Sequence, residues 1–103
     1  MVQYSHRNGQ LTVTTTSIPV LDNLVQGQTR VVYVISNIST GGQIITLAFG
    51  DTAAVAGYGL TLNPGNSWTE TIESTFVPTN EKTNIISSAA GATVAIYERI
   101  RND

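Results

Sequence analysis

The feature that most limits the fold of this chain is its punctuation. Gly9, Gly27, the pair Gly41-Gly42, Gly50, Gly57, Gly59, Gly65 and Gly91 recur at intervals of one short strand, and Pro19, Pro64 and Pro78 add further breaks. In a helix interior glycine costs about 1 kcal/mol and proline about 3 kcal/mol relative to alanine, and no window offers an uninterrupted amphipathic stripe with caps. Strands tolerate such spacing, because their turns are built from these residues. Between the breaks the polar side chains are mostly threonine, serine, asparagine and glutamine. The branched Cβ of threonine favours a pleated backbone, so the chain reads as all-β.

The segments follow from periodicity. Leu11-Thr12-Val13-Thr14-Thr15-Thr16 alternates apolar and hydroxyl side chains with period two, which predicts a half-buried strand with Leu11 and Val13 inward. Ile18 to Val25 carries Pro19 near its start and is expected to be an edge strand or a strand entrance. Arg30 to Ser36 is apolar on both faces, the pattern of a central strand. Asn37 to Gly42 has turn chemistry, expected to return the chain into a partner strand, Gln43 to Phe49. Gly50 to Gly59 reads as a loop. Asn63-Pro64-Gly65-Asn66 has proline and glycine where a type II turn needs them, predicting a hairpin of Leu60–Leu62 with Ser67–Glu73. Ser74 to Thr83 is a loop around Pro78; Asn84–Ser88 and Thr93–Arg99 are strands joined tightly through Ala89–Ala92. About eight short strands at this spacing imply an antiparallel β-sandwich or a jelly-roll-like barrel. Residues 1–10 are polar and read as an N-terminal arm, with residues 11–103 as a single β domain, consistent with a length of 103.

Charge narrows the function. Charged residues are 12% of the chain against about 25% in an average soluble domain. Five basic and seven acidic side chains give a net charge of −2, which leaves no electrostatic footprint for nucleic acid or an anionic membrane. The longest apolar stretch, Val31 to Ile35, is far short of the roughly 20 residues a spanning helix needs. Met1 to Arg7 is polar and carries no apolar leader core, so synthesis in the cytoplasm is expected. There is no cysteine, which removes disulfides, thiolate ligands and thiol nucleophiles.

No catalytic constellation emerges from the remaining side chains. His6 is the single histidine, lies in the polar N-terminal stretch, and cannot make a closed transition-metal site alone. Glu70 and Glu73 have an odd separation on a predicted strand, which points them to opposite faces and predicts two solvated carboxylates rather than an acid/base pair. Asp51 after Gly50 fits an Asx turn better than a calcium loop, because ligand-rich spacing is missing around it. Gly57-Tyr58-Gly59 and Asn63-Pro64-Gly65 are turns, not phosphate cradles. The chain is therefore expected to be no enzyme and to need no cofactor and no metal. Among the aromatics, Tyr33, Phe49 and Trp68 fall on core positions, leaving Tyr4, Tyr58 and Tyr97 as candidate interface residues.

One deficit points to assembly. Sheet edges are usually blunted with charge, lysine above all, and this chain has only Lys82, in a predicted loop. A threonine-rich β domain with bare edges must close on itself or cover them with neighbours, so a homo-oligomer is expected.

Three stretches carry a family resemblance: Ser36-Asn37-Ile38-Ser39 with Gly42 to Gly50; Ala53 to Gly59 followed by Leu60-Thr61-Leu62-Asn63-Pro64-Gly65-Asn66-Ser67-Trp68; and Ile85 to Glu98, which contains Ala92-Thr93-Val94-Ala95-Ile96-Tyr97-Glu98. Together, across about residues 30–99, they resemble small structural proteins of tailed bacteriophages. The matching positions are turns and core, and none is catalytic. The resemblance implies a component of the virion, made in the host cytoplasm. A capsid decoration protein that docks on the shell as a trimer and stabilises it fits best, with the major capsid or tail protein as its partner. The alternative is a carbohydrate-binding or host-adhesion module of a tail fibre, using Tyr58, Trp68 or Tyr97 as a sugar platform.

Overall fold

The computed structural model describes residues 2–103. Eight strands form two antiparallel sheets that pack face to face. In the long sheet the order is β1 (Gln3–Val13), β8 (Ala92–Asn102), β3 (Gln28–Asn37) and β6 (Ser67–Thr71). In the short sheet it is β2 (Ile18–Leu21), β7 (Thr83–Ser87), β4 (Ile45–Ala48) and β5 (Leu60–Leu62). The pairs β1–β8, β2–β7, β3–β6 and β4–β5 are those of one long hairpin rolled up on itself, which is the jelly-roll arrangement. The all-β sandwich expected from the punctuation is what forms.

Which strands pair is another matter. The chain passes from one sheet to the other at Ile38–Ile44, at Asn63–Asn66 and at Ser88–Gly91, so the two returns expected at the first two turns are crossings instead, and the tight connection at the third also joins opposite sheets. The proline–glycine turn itself forms: Gly65 has φ of 88° and the Asn66 amide donates to the Asn63 carbonyl at 2.9 Å. It joins β5 of the short sheet to β6 of the long one. Asn37 clamps two of the crossings. Its side chain is fully buried, donates Nδ2–H bonds to the Gln43 and Leu62 carbonyls at 2.9 Å each, and accepts the Ser39 amide at 3.0 Å. Since β3 has β8 on one side and β6 on the other, it has no edge left for residues 43–49.

The expected N-terminal arm is also strand. Residues 3–10 continue into β1, which runs in unbroken register against β8 from Gln3 opposite Asn102 to Val13 opposite Ala92. Its polarity misled because the short sheet covers only one end of the long one, leaving Gln3 to Asn8 largely exposed on both faces.

Apolar alternation builds the core. Val13 on β1, Tyr33 and Ile35 on β3, and Val94 and Ile96 on β8 meet Leu21, Ile45, Leu47, Leu62 and Ile85 from the short sheet. Further along β8 the inward position is Glu98, and the layer facing it is no longer sheet but loop. There Arg30 is fully buried and donates to Glu98 Oε2 at 2.8 Å, to the Thr79 carbonyl at 2.6 Å and to the Asp22 carbonyl at 2.9 Å. Arg7 reaches the same carboxylate, with Nε at 3.3 Å from Oε1. A buried guanidinium is tolerated only when its donors find acceptors, and here the acceptors are the two loops it ties to the long sheet.

The outer faces differ. Residues 51–57 fold over the short sheet: Gly57 N–H donates to Thr46 Oγ1 at 3.0 Å, Asn84 Nδ2 donates to the Thr52 carbonyl at 2.8 Å, and Ala54 N–H donates to Ser17 Oγ at 2.8 Å. Thr46, Asn84 and Ile86 are buried beneath this flap. Among the described residues no such flap lies over the outer face of the long sheet.

Candidate functional site

The bare outer face of the long sheet gathers one group of side chains that strand pairing alone brings together. On β8 the outward positions are Thr93, Ala95, Tyr97, Arg99 and Arg101. β1 places Tyr4 opposite Arg101, His6 opposite Arg99 and Asn8 opposite Tyr97, while β3 places Val32 opposite Arg99 and Val34 opposite Tyr97. Diagonal neighbours touch. The Arg99 guanidinium carbon lies 4.1 Å from the centre of the Tyr4 ring, a cation–π distance, and the His6 and Tyr97 rings meet edge-on at 6.3 Å.

Arg99 stands apart electrostatically. Arg7 and Arg30 share Glu98, Lys82 pairs with Asp51 at 3.3 Å, and Arg101 pairs with Asp103 at 3.0 Å. Among the described residues Arg99 is the one arginine or lysine with no carboxylate partner, and its Nε is buried without an acceptor.

The edges of the two sheets are equally uneven. β5 has three residues, β2 four with Pro19 among them, and β6 five, all short enough to discourage pairing with another chain. β1 has eleven residues, and among the described residues β8 is its sole strand partner. An antiparallel ladder turns the amides of every second residue away from the partner strand, so β1 presents a row of unpaired donors and acceptors. Its one charged side chain, Arg7, is turned inward to Glu98 and donates to the Val20 carbonyl at 2.6 Å. Beside this edge, between β1 and β2, lies an open cleft of about 250 Å³ floored by Leu11, Val20 and Ile96. Gly9 lines it, and a Cβ there would meet nothing within 4 Å.

The three tyrosines expected at an interface are divided between surfaces. Tyr4 and Tyr97 share the outer face of the long sheet. Tyr58 is 78% exposed on the flap over the short sheet, and nothing brings it near the other two. Trp68 is no sugar platform: it packs against the core, and its Nε1–H donates to the Tyr33 hydroxyl at 3.1 Å. Tyr33 in turn donates to Glu70 Oε1. Burial, and after it the hydrogen bond and charge of Glu70, hold the Tyr33 phenol far above its ordinary value. Glu70, expected in solvent, is thus half-buried and engaged, whereas Glu73 is exposed. Asp51 takes a positive φ of 61° at a bend and pairs with Lys82. Arg99 went unnoticed in the sequence, although the period-two run Tyr97, Arg99, Arg101 was legible on β8; its partner Tyr4 is 95 positions away and was not.

No protein-family model matches this chain, and no curated protein matches its sequence. One solved structure with a similar backbone is a chain of the Bacillus endospore appendages, described as a novel family of disulfide-linked pili. The two share 16% identity, the alignment covers 98% of this chain and 87% of the other, and the TM-score is 0.57. At that identity the likeness concerns the fold. The absence of cysteine means that disulfide linkage, at least, has no counterpart within these residues.

Proposed function

We propose that this chain is a non-enzymatic structural subunit that works by assembling with copies of itself. The observation that carries this is the β1 edge: eleven residues long, without an outward lysine or arginine, and flanked by an open cleft in which Leu11, Val20 and Ile96 sit beside Arg7 and Gln10. Pairing there extends the long sheet from one subunit into the next. Main-chain hydrogen bonds supply the attraction and the Gly9 cleft accepts an apolar side chain from the neighbour. The endospore pilus likeness is in keeping with such a role, since a similar fold serves there in a polymer.

Within this class the reading is a bacteriophage virion protein, a decoration protein that docks on the shell as a trimer and stabilises it by mass action. The resemblance of residues 30–99 to tailed-phage structural proteins supports it. Mass spectrometry of purified particles tests it: the chain should be present in many copies per particle. Particles that lack it, from a host making the protein, would remove the virion assignment while leaving self-assembly to be judged by light scattering.

A further inference from the structure

Two unsatisfied features of the surface fit each other. The first is the outer face of the long sheet around Arg99, with Tyr4 at 47% exposure, Tyr97, and the half-buried Val32 and Val34 beside it. The second is the turn at the end of β6. Glu73 and Phe76 close it by exchanging backbone hydrogen bonds of 2.8 and 3.3 Å, and it displays Glu73 next to Phe76 and Val77, both apolar and largely exposed. Glu73 has no cationic partner among the described residues, and it is the free carboxylate flanked by two large exposed apolar side chains.

We infer that the Glu73–Val77 turn of one copy docks on the Tyr4–Arg99 face of a second copy, with the Glu73 carboxylate on the Arg99 guanidinium and Phe76 and Val77 against Tyr97, Val32 and Val34. The proposal rests on the self-assembly reading and names a contact separate from the β1 edge. Charge complementarity selects the occupant: the chain is net negative, and the face it leaves uncovered is centred on its one unpaired arginine. The Tyr4 ring holds the guanidinium at 4.1 Å, and an arginine held in that way offers a planar fork of donors to a carboxylate at low entropic cost. The contact joins two different patches, so it is heterologous, and it closes into a ring where the rotation between copies permits. Within one subunit Glu73 and Arg99 form no ion pair, and the contact is assigned between molecules.

A charge swap tests this. Glu73→Arg and Arg99→Glu are made singly and together in the full chain, circular dichroism confirms folding, and association constants are measured by sedimentation at low salt. Each single variant should associate at least about tenfold more weakly than the wild type. The double variant, which restores an opposite pair in reverse, should recover most of that loss. Arg99→Gln should weaken association while flattening its salt dependence. Single variants that associate like the wild type overturn the inference, as does a double variant as weak as the two losses combined. A wild-type chain that stays monomeric overturns the self-assembly reading itself, whereas an assembled wild type indifferent to these variants overturns only this contact.

Discussion

Replacing Arg30 with methionine is the sharpest perturbation of the interior. The arginine is fully buried, and its loss strands three acceptors: the Glu98 carboxylate and the Thr79 and Asp22 carbonyls. Glu98 would keep only Arg7, at 3.3 Å and partly exposed. Removing one member of a buried ion pair costs about 3–5 kcal/mol, because the remaining charge stays desolvated. A domain of this kind is stable by about 5–15 kcal/mol, so the loss is a large fraction of the whole. At about 4–8 °C per kcal/mol, the melting temperature should fall by about 12 °C or more. The assay is urea unfolding at fixed protein concentration, followed through the single tryptophan, Trp68, whose indole sits half-buried against the core. Two companions sharpen it. Arg7→Met should cost only about 1 kcal/mol, since Glu98 retains Arg30. Arg30→Met with Glu98→Met should cost less than Arg30→Met alone, because no unpaired carboxylate remains. An Arg30→Met protein within about 1 kcal/mol of wild type, or a double variant worse than the single one, would refute the claim that this network holds the loops to the long sheet.

Three further outcomes follow from the same interior. Asn37→Ala removes the three hydrogen bonds of the crossing clamp and should cost about 2–4 kcal/mol in the same urea assay; a loss below about 0.5 kcal/mol would show that the crossings hold without it. Gly59→Ala places a Cβ 2.6 Å from the Leu47 carbonyl oxygen at a φ of 138°, so it should destabilise by more than about 1 kcal/mol, and an unchanged midpoint would contradict that close approach. The raised Tyr33 phenol means the native state keeps its proton after the unfolded state has begun to lose it. That contribution is complete below about pH 10 and is lost as pH rises beyond it. Tyr33→Phe should therefore cost about 1–2 kcal/mol at neutral pH and soften the alkaline loss of stability, whereas an identical alkaline profile would contradict the assignment.

Fold class was legible in this sequence because it depends on local signals. Glycine and proline spacing marked the ends of strands, threonine alternation marked their faces, and Pro19 correctly placed its strand at an edge. Strand partnership was not legible. In a rolled hairpin the first strand pairs with the last, so the nearest neighbour in sequence is usually in the opposite sheet. The Asn63–Asn66 turn shows the difference: its residues dictated its geometry, while the sheets it connects were decided by what β3 and β4 had already paired with. Residues 3–10 carried no inward hydrophobic row, because the layer above them is the Arg30–Glu98 network and loop rather than sheet. The candidate site suffered in the same way. Tyr4 and Tyr97 were visible as individual aromatics, but the surface they form with Arg99 exists only once β1 lies beside β8.

Self-assembly requires that the β1 edge be used, and light scattering at micromolar concentration measures that directly. The wild-type chain should run as an oligomer. A variant with Gln10→Lys and Thr12→Lys, two exposed positions on β1 far from Arg99, should stay folded and run at a clearly smaller mass than the wild type, because charge on a sheet edge blocks pairing with another chain. A monomeric wild type, or a lysine variant that assembles as the wild type does, would contradict it.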